Sequence, residues 1–111
     1  MELKKLIENI EKRPYMYLYN DDIRTLATFI DGYLMGKDYV ELSDEEKEFR
    51  QNFSEFVQKY YDAPCNKSWG NTILYYEHYQ SSLKKFFDLY KRWYEYNKIS
   101  KLKTDKEGKD A

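Results

Sequence analysis

The chain has one cysteine, one histidine, two prolines and four glycines. A single cysteine, Cys65, has no partner for an intrachain disulfide, so cytoplasmic residence is the expectation. One histidine and one cysteine are too few for a zinc site, and the acids are not spaced like a calcium loop, so no metal or cofactor is expected. The glycines are scattered and build no phosphate-cradling loop. No apolar run approaches the ~18 residues that a membrane span requires. Residues 1–12 mix charged and apolar positions and lack the apolar core of a signal peptide. Neither sign of charge dominates: 19 Lys and Arg face 20 Asp and Glu, a net charge of −1, which counts against a protein whose main work is to coat nucleic acid.

Aromatic residues are plentiful. They make up 19% of the 111 residues, with 13 tyrosines among them, and they supply enough burial to offset a charged content of 35%. A chain of this length reads as one domain with its own core. Its charge is unevenly placed. Residues 1–60 hold 13 acids against 9 bases, a net of −4, and residues 61–111 hold 7 against 10, a net of +3.

Apolar spacing predicts an all-α fold, a compact single-domain bundle of four main helices plus a short fifth. Leu3, Leu6, Ile7 and Ile10 share one helical face, and Pro14 closes that helix. The connector Pro14 to Tyr19 is expected to pack on the core. Asn20, Asp21 and Asp22 offer a start for a second helix carrying Ile23, Leu26, Ala27, Ile30, Tyr33 and Leu34. Gly32 would permit close helix contact, and Gly36 would end the helix through a positive φ. Ser43 and Glu46 are spaced as a capping box, followed by a third stripe of Phe49, Phe53, Phe56, Val57 and Tyr60 that Pro64 stops. A short helix is expected through Ile73 and Leu74. A last helix, from Ser81 or Ser82 to Asn97, carries Leu83, Phe86, Phe87, Tyr90, Trp93 and Tyr94, with Leu89 at its edge. Residues 1–97 then form the domain, and 98–111 a flexible charged tail.

No catalytic constellation is legible. His78 stands without a nucleophile in a recognisable setting, and Cys65 reads as an inert thiol in a polar loop. Asp31 and Glu55 lie near apolar stripes, but sequence alone does not pair them. Two binding readings remain. In the first, Glu41, Asp44, Glu45, Glu46 and Glu48 form an acidic docking face, and Trp69, Tyr75 and Tyr76 supply aromatic contacts. The plainer reading, taken first, makes Asp44, Glu45 and Glu46 an ordinary helix N-terminus with no partner. In the second, Lys84, Lys85, Lys91, Arg92 and Lys98, interleaved with Tyr and Trp, meet nucleic acid along the last helix, although the same pattern describes the solvated side of an amphipathic helix.

Three segments carry a family resemblance: Lys12-Arg13-Pro14-Tyr15-Met16-Tyr17-Leu18, Leu26-Ala27-Thr28-Phe29-Ile30-Asp31-Gly32-Tyr33, and Ser68-Trp69-Gly70-Asn71-Thr72-Ile73-Leu74. An amphipathic helix rich in Phe and Tyr follows them. In this order they resemble small bacterial immunity-like proteins encoded near polymorphic toxins of the Rhs and cell-wall-associated type. Tyr15 stands where those proteins usually carry glycine, and Gly70 follows the tryptophan rather than preceding it. The resemblance implies a non-enzymatic protein that binds and neutralises a cognate toxin domain, such as a nuclease, with specificity on exposed surface and the shared motifs serving packing.

Overall fold

The computed structural model describes residues 2–64 and 68–110, with side chains as far as Lys101. The inert-thiol reading of Cys65 lies outside the described residues. Five α-helices follow one another: α1 (Leu3–Lys12), α2 (Ile23–Met35), α3 (Asp44–Tyr61), α4 (Trp69–Tyr76) and α5 (Tyr79–Asp110). Short 3-10 turns at Pro14–Met16 and Tyr39–Glu41 interrupt the connections, and no strand occurs among the described residues. The fold is all-α.

Three of the helices, α2, α3 and α4, begin where the preceding side chain takes up a free amide. Asp22 accepts from the Thr25 N–H at 2.8 Å at the start of α2. That bond, ahead of the opposing effect of burial, holds the Asp22 carboxyl below its ordinary range. The Ser43–Glu46 capping box forms as its spacing predicts. Ser68 caps α4 through the Asn71 amide. At its other end, α3 stops before Pro64. Asp62 adopts a left-handed conformation (φ 51°, ψ 43°), its N–H reaches the Lys59 carbonyl, and the Ala63 N–H reaches that of Gln58.

The apolar stripes converge. Leu3, Leu6, Ile7 and Ile10 of α1, Ile23, Leu26, Ile30 and Leu34 of α2, and Phe49, Phe53 and Val57 of α3 are buried, with Ile73 of α4 and Phe86, Phe87, Leu89, Tyr90 and Trp93 of α5. Burying side chains of this kind contributes roughly 1.5–3 kcal/mol each. Leu89, expected at the margin of its stripe, is fully buried. The centre is aromatic: the Phe53 ring lies 5.5 Å from Trp69 and 5.9 Å from Phe86 by centroid, both edge-on, and Trp93 donates from Nε1 to Asn52 Oδ1 at 2.7 Å.

Four expectations need correction. The connector Pro14–Tyr19 packs inward only through Tyr17 and Leu18, while Tyr15, Met16 and Tyr19 are exposed. Gly32 faces open space; the close approach occurs at Gly70, where a Cβ would sit 3.1 Å from the Ala27 Cβ. Gly36 ends α2 with φ −73°, so its freedom at positive φ is not used. Finally, α5 begins at Tyr79 and continues beyond Asn97. No proline interrupts it there, and Lys101 pairs with Glu48 of α3 at 2.8 Å.

Candidate protein-binding surface

The acidic segment at the start of α3 divides by partner. Glu46 is fully buried. Its carboxylate accepts from the Leu3 N–H at 3.2 Å, from the Ser43 N–H at 3.0 Å, and from Lys37 Nζ at 3.2 and 3.0 Å. Burial pushes its pKa up. The Ser43 amide and the Lys37 ammonium outweigh burial, so the group ends below its ordinary value. One side chain thus ties the first turn of α1, the first turn of α3 and the end of α2 together. Glu46 is therefore unavailable to a partner, contrary to the docking reading, because the capping box turns it inward.

Glu45 and Glu48 are half-buried. Glu45 accepts from the Tyr94 hydroxyl at 3.2 Å, and Glu48 accepts from Asn97 Nδ2 and pairs with Lys101. Both are engaged by α5. Glu41 and Asp44 remain exposed, and no ion pair among the described residues engages them.

Beside these two acids the end of α2 and the connection to α3 expose three large apolar side chains: Met35 at 78%, Tyr39 at 61% and Val40 at 86%. Asp38 is exposed between them and likewise has no ion pair among the described residues. The connection is firmly held. Leu34 and Leu42 are buried at its two ends, the Glu41 N–H donates to the Asp38 carbonyl at 2.8 Å, and Lys37 reaches inward to Glu46. Lys47 lies over the Tyr39 ring, 4.6 Å from its centroid. Met35, Asp38, Tyr39 and Val40 escaped the sequence reading. For Met35, Tyr39 and Val40 the available signal was apolar residues at the end of α2 and just after it that belong to neither stripe.

Trp69 is not a surface contact. It is 7% exposed and stacks on Phe86 at 4.9 Å, because Gly70 lets α4 approach α2 closely enough to drive the indole into the core. Tyr75 and Tyr76 are exposed, as a contact role requires, and they extend a ladder of rings. Tyr60 meets Tyr61 edge-on at 4.8 Å, Tyr61 stacks on Tyr76 at 4.8 Å and 8°, and Tyr76 meets Tyr75 at 4.9 Å. The Tyr61 hydroxyl donates to Glu77 at 2.8 Å; burial first, then that carboxylate, pushes its pKa far up. A neighbouring groove of about 460 Å³ runs between α3 and α5, lined by Phe56, Tyr60, Trp93 and Tyr96.

The basic residues of α5 are largely turned to internal partners. Lys85 lies over the Tyr60 ring at 4.6 Å and within 3.7 Å of Asp88, Arg92 pairs with Asp88 at 3.1 Å, and Lys91 pairs with Glu11 at 3.0 Å. Such exposed pairs add little stability, but they do lower the positive potential offered to a phosphate chain. Lys84 and Lys98 are exposed.

Asp31 and Glu55 are not brought together. Asp31 lines a cleft of about 220 Å³ with Arg50 and Ser54, where partial desolvation raises its pKa, while Glu55 lies at the α3–α5 groove and pairs with Lys59 at 3.0 Å. His78 is exposed, and its carbonyl accepts from the amides of Ser81 and Ser82 at the start of α5. Among the described residues no group of three or more His, Cys, Asp or Glu could hold a metal ion, and no helix is long and apolar enough to cross a membrane. No family model, curated protein or solved structure matches the chain.

Proposed function

We propose that this protein works by binding another protein, without catalysis of its own, and that its partner is a cognate toxin domain that it neutralises in the cytoplasm of the producing bacterium. The observation that carries the binding reading is the grouping of large apolar side chains on the surface. Met35 at the end of α2 and Tyr39 and Val40 on the connection after it are exposed close together in sequence, and Tyr60, Tyr75 and Tyr76 are exposed along a ladder of rings. Scattered exposed apolar residues need no explanation, whereas grouped ones, held rigid by their neighbours, are what a protein interface uses. The motif resemblance supports the choice of a toxin as partner. In this reading the motif residues build the scaffold: Leu26, Ile30 and Trp69 are buried, and Gly70 sets the α2–α4 approach.

The test is co-expression. The C-terminal domain of the product encoded immediately upstream is expressed in bacteria with and without this protein, growth is scored, and any complex is purified. Rescue of growth with a stable one-to-one complex is the expected result. A harmless upstream product, or killing that proceeds in the presence of this protein, would overturn the toxin assignment.

A further inference from the structure

We infer that the α2–α3 corner, from Met35 to Asp44, is the docking face and that it takes a basic protein surface carrying an apolar recess; this inference rests on the protein-binding reading above. Two properties coincide at the corner. Met35, Tyr39 and Val40 offer apolar area that this chain leaves uncovered. Asp38, Glu41 and Asp44 of the same segment add exposed carboxylates that no ion pair among the described residues neutralises. The cations close by are engaged: Lys37 pairs with Glu46, Lys101 with Glu48, and Lys47 lies over the Tyr39 ring. Apolar area accompanied by free charge is the arrangement in which burial supplies affinity and charge supplies orientation and encounter rate.

At two other exposed aromatic groups the adjoining carboxylates are engaged within the chain. At the tyrosine ladder Glu77 is bound by Tyr61, and Lys85 and Arg92 are turned to Tyr60 and Asp88. Near the Pro14–Met16 turn, the Tyr15 hydroxyl donates to Asp21 at 2.9 Å and the Tyr79 hydroxyl to Asp22 at 3.3 Å. These groups brace the fold with the polar atoms that a partner would otherwise use. The corner keeps its carboxylates available, and its backbone is fixed by the buried Leu34 and Leu42, so little ordering is required on docking. The positive rim of a partner is the complement of these acids.

The test titrates the same upstream C-terminal domain, in catalytically inactive form, with four proteins: the wild-type chain, the charge reversal D38K/E41K/D44K, the neutral D38N/E41Q/D44N, and Y75A/Y76A in the ladder. Each is checked first by circular dichroism for an unchanged helical fold. The charge reversal is expected to slow association by about tenfold or more and to flatten its dependence on salt, with the neutral variant intermediate and the ladder variant near wild type. If the wild type binds while the charge reversal and the neutral variant bind at the same rate with the same salt dependence, the corner is overturned and the binding function stands. If the wild-type chain itself does not bind, the toxin reading and this inference fall together.

Discussion

At the scale of single residues, two positions make opposite contributions to stability. Glu46 is a buried carboxylate whose hydrogen bonds join three helices. Removing one member of such a cluster strands the others, so Glu46→Ala should cost about 3 kcal/mol in urea unfolding. Its folded pKa lies below the unfolded one. The stability it confers is therefore present above the unfolded carboxylate value of about 4.3 and is lost as pH falls through the folded value. Wild-type stability should decline on acidification below about pH 4, and Glu46→Ala should show a shallower decline, as measured by urea titrations across pH. Asp62 has the reverse sign. It holds a left-handed conformation and places a negative charge at the C-terminal end of α3, which the helix dipole disfavours. Asp62→Gly should raise stability by about 1 kcal/mol, and a lower or equal urea midpoint would contradict that account of the cap.

At the scale of elements, the contact between α2 and α4 depends on Gly70. A Cβ there would meet the Ala27 Cβ at 3.1 Å, and Trp69 is seated in the core by the same approach. Gly70→Val should destabilise by about 2 kcal/mol. Combined with Ala27→Gly it should cost less than the sum of the two single changes, with a coupling of about 1 kcal/mol in a double-mutant cycle. Additive costs would show that the two positions do not meet. The helices themselves were readable from the sequence, because apolar residues three and four apart reveal a buried face without knowledge of what covers it. The caps at Asp22 and Ser43 were readable for the same local reason. The inward turn of Trp69, the burial of Leu89 and the continuation of α5 past Asn97 were not. Each depends on a partner far away in sequence: Phe86 for Trp69, the facing helices for Leu89, Glu48 for Lys101.

At the scale of the whole molecule, an aromatic core holds five helices and leaves exposed apolar residues and exposed carboxylates on the same α2–α3 segment. The acidic segment noted in the sequence does lie at this corner, but folding redistributes its members. Glu46 goes to the interior, Glu45 and Glu48 to α5, and Glu41 and Asp44 to the surface. Periodicity separates apolar from polar faces but does not say which carboxylate meets an internal partner. It also gave no weight to Met35, Tyr39 and Val40, which lie outside every stripe. The most direct measurement is hydrogen–deuterium exchange by mass spectrometry on the free protein and on its complex with the upstream C-terminal domain. Slowed exchange across residues 35–44, with the Tyr60–Tyr76 ladder unchanged, is the predicted result. A complex that leaves residues 35–44 exchanging as in the free protein would contradict it.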